Sequence, residues 1–165
     1  MRLQTKMNLL FSVVIISLGV GLGYSIYFSA VDLIRESIGI KAENIAKNIS
    51  NDIRADELQK VAERTLLLKE QKGAAAEIMS IPEYLKIREQ LWNYKRMYSM
   101  KYLYIMSKTK NGEMMYVVDA FPLDYNGPEF SKPGDIEINK YDLLEAAFIE
   151  AKAFFGELTY DNKWG

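Results

Sequence analysis

This sequence predicts an α+β chain. It has an N-terminal transmembrane helix, a long juxtamembrane helix, and further helices packed on an antiparallel sheet that is incomplete at the C-terminus. Three observations carry that expectation. Residues 9–30 hold no charge; apolar residues then recur in steps of three and four from Val31 to Ile53; and the period changes to two around Asn111-Gly112.

The first segment, LLFSVVIISLGVGLGYSIYFSA from Leu9 to Ala30, comes after Arg2 and Lys6. At about 1.5 Å per helical residue it spans roughly 33 Å, close to the hydrocarbon thickness of a bilayer. Lipid leaves backbone groups no partner, so the segment crosses as a helix. Basic residues stay inside, which makes 1–8 a cytoplasmic N-terminus, 9–30 the span and 31–165 an extracytoplasmic domain. A cleaved signal peptide is the alternative. Gly21 and Gly23 suit a cleavage site, but Ile26, Tyr27 and Phe28 continue the apolar run past them, and Tyr24 and Tyr27 suit the outer interface.

Next come Val31, Ile34, Ile38, Ala42, Ile45, Ile49 and Ile53, a repeat of about 3.7 residues that holds one face of a nearly straight helix. Lys41, Glu43, Asn44, Lys47 and Asn48 fill the other face, and the helix is expected to continue from the span without a break. The stripe packs against its own domain, or part of it meets a second copy in a homodimer. A second helix is expected from Asp56, with Asp56 capping and Gln59 reaching back, ending before Gly73. A third has Ser80 as N-cap, Pro82 in the first turn and Glu83 completing a capping box. Its stripe is Tyr84, Ile87, Leu91, Tyr94 and Tyr98.

Lys101–Ser107 and Glu113–Ala120 then read as two strands of a hairpin turning at Asn111-Gly112. Alternation puts Tyr102, Tyr104 and Met106 on one face of the first strand. On the second, Tyr116 and Val118 oppose Met115, Val117 and Asp119. Phe121–Gly134 is an irregular segment broken by Pro122, Asn126-Gly127-Pro128 and Pro133-Gly134. A last helix is expected from about Lys140 to Phe155, burying Leu143, Leu144, Ala147, Phe148, Ala151 and Phe155 and stopping at Gly156.

The chain beyond the span is long enough for one domain with its own core, not comfortably for two. A net charge of −1 gives no reason to expect nucleic acid. The chain has no cysteine and no histidine, which removes disulfides, thiolate chemistry, the commonest general base and the Ser-His-Asp triad. No pairing of carboxylates, lysines or tyrosines stands out, so binding rather than catalysis is expected. Asp119, Asp124 and Glu129 lack the spacing of a calcium loop, and neither metal nor cofactor is expected.

The order of elements resembles the extracytoplasmic single Cache domain, the PAS-like sensory module of bacterial membrane receptors. The residues that carry it are the strand Tyr102–Met106, the strand end Tyr116-Val117-Val118-Asp119, Pro133-Gly134-Asp135, and Tyr160-Asp161-Asn162-Lys163-Trp164-Gly165. The resemblance implies three further strands, a second membrane helix and a cytoplasmic output module, so the chain is expected to be a truncated receptor. Any cyclase, phosphodiesterase or kinase would lie beyond Gly165. The alternative is a small anchored interaction protein whose partner completes the sheet.

The resemblance also implies a ligand on one sheet face, an organic acid or amino acid. Tyr102, Tyr104, Tyr116 and Asp119 would line its pocket, with Trp164 at the rim and Asp119 taking a ligand ammonium. Read from the residues alone, the tyrosines are equally ordinary sheet packing, and Asp119 is a strand-end carboxylate bonding the loop after it. Arg96 is a carboxylate partner or a solvated helix-end arginine. Pro133-Gly134-Asp135 reads as a turn with Asp135 capping the next segment.

Overall fold

The apolar segment and the stripe after it form one unbroken helix of 50 residues, α1 (Leu3–Asp52), in the computed structural model, which describes residues 3–68 and 73–150. The chain divides into two units, one containing Met1–Glu43 and the other spanning Asn44–Phe154.

In the first unit, α1 carries an apolar stretch with no residue buried, long and apolar enough to cross a membrane. The stripe beyond it stays uncovered here: Ile34 is 51% exposed and Ile38 52%.

In the second unit the same stripe is buried. Ile45, Ile49 and Ile53 join a core made with Val61, Ile78, Tyr84, Ile87, Leu91, Met115, Val117 and Val118. This core is built by α2 (Ala55–Leu68), α3 (Ala74–Met79), α4 (Pro82–Met97) and the hairpin β1 (Tyr104–Lys108) and β2 (Met114–Asp119), with α5 (Asp142–Glu150) next in the chain.

The caps differ from those the sequence predicts. Asp56 forms no capping box; it pairs with Arg54, Nη2 to Oδ2 at 2.6 Å, while Gln59 donates to Glu63 at 2.8 Å. Ser80 closes α3 instead of opening α4: its hydroxyl donates to the Glu77 carbonyl at 2.6 Å. Ile81 takes the N-cap position of α4, Pro82 sits in its first turn as expected, and Glu83 pairs with Lys60. The end of α4 is a Schellman arrangement, with Ser99 N–H to the Arg96 carbonyl at 3.2 Å and Met100 N–H to that of Lys95 at 2.9 Å. Ser99 carries the left-handed φ of 51° that this geometry requires.

The hairpin turns at Gly112, whose φ is 83° and whose N–H donates to the Thr109 carbonyl at 2.9 Å. Its strands are shorter than expected, beginning at Tyr104 and Met114, and the pairing is antiparallel with a bulge. Ile105 pairs with Val118 but Met106 with Tyr116, so Val117 is the extra residue, and Val117 and Val118 are both buried. A two-stranded sheet needs packing to persist, and this one is packed on the helices. The outer edge of β2 is not left open. Gly134 N–H donates to the Tyr116 carbonyl, Tyr116 N–H to that of Asp135, and Glu137 N–H to that of Met114, each at 2.9 Å. Among the described residues, no backbone group pairs with the outer edge of β1.

In α5 no residue is buried: Leu143 stays 43% exposed and Phe148 40%, which corrects the expectation of a fully covered apolar face. The expected continuation to Phe155 and the stop at Gly156 lie outside the described residues.

Candidate functional site

The bulge decides which predicted site residues meet. Strict alternation puts Tyr116 and Asp119 on opposite faces of β2, being three residues apart. With Val117 looped out, Tyr116 pairs with Met106 and Asp119 with Tyr104, and these two partners alternate onto one face of β1. Tyr104 and Tyr116 accordingly meet edge to face, ring centres 5.2 Å apart and planes 70° apart.

Three of the predicted residues, Tyr104, Tyr116 and Asp119, therefore converge. Tyr102 lies before β1 begins, and Lys101 Nζ sits 5.5 Å from its ring centre. Trp164 lies outside the described residues.

Each convergent side chain has an identifiable environment. The Tyr116 hydroxyl donates to Glu137 Oε2 at 2.5 Å, and Glu137 Oε1 accepts the Asn139 N–H at 2.8 Å. Burial, and then the Glu137 hydrogen bond, push the Tyr116 phenol far up, so it stays protonated. Burial likewise raises the Tyr104 phenol. Asp119 is buried and accepts the Ser131 N–H at 2.9 Å. It is thus a strand-end carboxylate that ties down the loop after β2. Burial raises its pKa, while the Ser131 N–H, Lys95 and Arg88 pull the other way.

Two buried cations on α4 were not legible as part of this neighbourhood. Arg88 donates through Nε to the Phe121 carbonyl at 3.0 Å and through Nη2 to those of Pro122 and Tyr125 at 2.6 and 2.8 Å. Lys95 places Nζ 3.8 Å from the Phe121 ring centre, and burial lowers its pKa. Both fall on the face expected to be apolar, one turn after Tyr84 and Leu91 respectively; that spacing was the signal available. Tyr84 itself is fully buried beside this group, and burial pushes its phenol up to about 12. The cations hold the 121–131 loop against α4. Arg96, by contrast, bonds Asn93 at 2.9 Å at the helix end. Asp135 turns back to the Lys132 N–H at 2.8 Å instead of capping the next segment, and Gly134 supplies the φ of 96° the turn needs.

Comparison with protein-family models, with curated proteins and with solved structures finds no match to this chain. The chemistry of the site therefore rests on its own geometry.

Beside Tyr104 lies a cavity of about 520 Å³, of a size that suits a small organic molecule. Ile49 of α1, Ile53 just after it, Leu91 of α4, Leu103 just before β1, Ile105 of β1 and Phe148 of α5 form much of its wall. Ser50 and Tyr104 are the residues of that wall whose side chains carry a polar group. Such a lining fits an apolar body with one polar attachment. No cluster of three acidic, histidine or cysteine side chains able to hold a metal occurs among the described residues.

Proposed function

We propose that this chain is the membrane-anchored extracytoplasmic sensor region of a signal-transduction receptor, with a Cache-like, PAS-like domain. In this reading α1 crosses the membrane with its N-terminus in the cytoplasm, and a small organic ligand occupies the cavity beside Tyr104. Ligand favours one of two arrangements of the hairpin against the end of α1, and that helix relays the difference towards the membrane, in a homodimer formed through its juxtamembrane part. One observation carries the reading: the helix that holds the apolar segment places Ile49, and Ile53 just past its end, in both the core and the cavity wall. The exposed Ile34 and Ile38 support the homodimer, since a second copy in the same membrane presents the same stripe in parallel.

The test is a small-molecule screen by thermal unfolding of the full chain in lipid nanodiscs, and then amide exchange along α1. A stabilising compound is expected to slow exchange at residues 44–53 and to change it over 31–43. A compound that stabilises the domain and leaves α1 unaltered contradicts the relay.

A second reading draws on the outer edge of β1, with which no backbone group among the described residues pairs. An accessory protein that uses this edge takes a partner strand by backbone pairing. Purified chain that stays monomeric and leaves β1 amides slow to exchange argues against it.

A further inference from the structure

The Glu137 carboxylate is half-buried and holds two hydrogen bonds, from Tyr116 and from the Asn139 backbone, but no lysine or arginine among the described residues pairs with it. Those bonds orient the group, and among the described residues no cation compensates its charge. Around it stand phenol rings. Tyr104 meets Tyr116 edge-on at 5.2 Å, and it lies within electrostatic reach of Tyr141, Glu137 and Asp119. Tyr104 and Tyr141 are open to solvent, 41% and 46% exposed, so their rings are accessible to a ligand. An aromatic face carries negative charge density and attracts cations, most of all alkylated ammonium groups. Tyr104 also borders the apolar cavity, and so joins a cation-attracting corner to an apolar recess.

Resting on the ligand-binding reading above, we propose that this corner takes an organic cation. The ligand is a protonated or alkylated amine whose head lies between Glu137 and the tyrosine rings, and whose apolar body enters the cavity beside Tyr104. Three features select this class. A carboxylate ligand would meet the charge of Glu137, while Arg88 is committed to loop carbonyls and Lys95 to the Phe121 ring. A metal ion would find a single carboxylate among phenols, a poor set of ligands for a hard cation. A neutral molecule would leave the Glu137 charge unmatched.

The experiment is calorimetric titration of the full chain in lipid nanodiscs with phenethylamine, benzyltrimethylammonium, phenethyl alcohol and 3-phenylpropionate. The two cations are expected to bind about tenfold or more tightly than the alcohol, a difference of about 1.4 kcal/mol. The propionate is expected not to compete. Glu137→Gln is expected to weaken the cations about tenfold and leave the alcohol unchanged. Tyr141→Ala, at an exposed ring, is expected to weaken them severalfold with the unfolding midpoint unmoved. Alcohol or propionate binding as tightly as the amines, indifferent to Glu137→Gln, overturns the organic-cation inference and leaves the ligand-binding reading standing. Failure of all four to bind the folded chain overturns the inference as well, and the sensor reading then stands or falls on the broader screen and the α1 exchange measurement.

Discussion

Arg88 holds its guanidinium carbon 4.2 Å from the centre of the Phe130 ring while its nitrogens bond the carbonyls of Phe121, Pro122 and Tyr125. One helix residue therefore grips both ends of the loop after β2. A buried arginine shared by three carbonyls and a ring leaves several polar groups without partners when removed. Arg88→Leu is expected to cost about 3 kcal/mol in urea unfolding of the chain in micelles. Arg88→Lys recovers only part of this, since an ammonium cannot reproduce the planar fork. A loss below about 1 kcal/mol for Arg88→Leu contradicts the gripping role.

Ser99 lies just past α4 with φ 51°, where a side chain is strained and glycine is not. Because the Schellman bonds to Arg96 and Lys95 already fix the backbone there, the substitution removes strain without removing a contact. Ser99→Gly is expected to raise stability by about 0.5–1 kcal/mol, the strain relieved less the extra chain entropy of glycine. A destabilised variant shows that the serine side chain contributes something the backbone geometry does not.

Much of this fold was legible in the sequence, and the failures share one cause. Asn111-Gly112 located the hairpin, and the steps from Val31 to Ile53 located the long helix, because turn chemistry and period are local. The bulge at Val117 is not local: it depends on how β2 meets β1, and strict alternation therefore puts Tyr116 and Asp119 on opposite faces. Ser80 reads as the cap of the wrong helix because Ser-x-Pro-Glu looks like a start, while the short helix Ala74–Met79 before it is held by contacts with α2 and α4. Arg88 and Lys95 give no local signal of burial, since it is compensated only by loop carbonyls and rings far along the chain. For the same reason the meeting of Glu137 with Tyr116, and of Tyr141 with Tyr104, is not legible in the sequence.

Asp119 makes the stability of the domain depend on pH in a direction opposite to that of a salt-bridged carboxylate. Burial lifts its pKa above the ordinary 3.8, so the folded chain holds the proton more tightly than the unfolded one. The stability that this group contributes is present below its unfolded pKa and is lost as pH rises through its folded pKa. Asp119→Asn keeps an oxygen for the Ser131 N–H and removes the titration. As pH rises from below the ordinary 3.8 towards neutrality, the natural chain is therefore expected to lose stability relative to Asp119→Asn. A difference that stays flat, or that grows in favour of the natural chain, contradicts the burial argument.

The absence of cysteine allows a direct test of the proposed topology, because any single cysteine introduced is the sole labelling site. Thr5 precedes the apolar segment beside Lys6, and Lys110 lies at the hairpin turn with an exposed side chain. If the basic N-terminus stays in the cytoplasm, a membrane-impermeant maleimide added to intact spheroplasts labels Lys110→Cys and not Thr5→Cys, and lysis exposes both. Labelling of Thr5→Cys alone in intact cells reverses the orientation. Equal labelling of both before lysis, with the chain recovered from the soluble fraction, argues that the apolar helix is not a membrane anchor. The outcome also bears on the ligand, since only an outward-facing hairpin lets an organic cation reach Glu137 without crossing the bilayer.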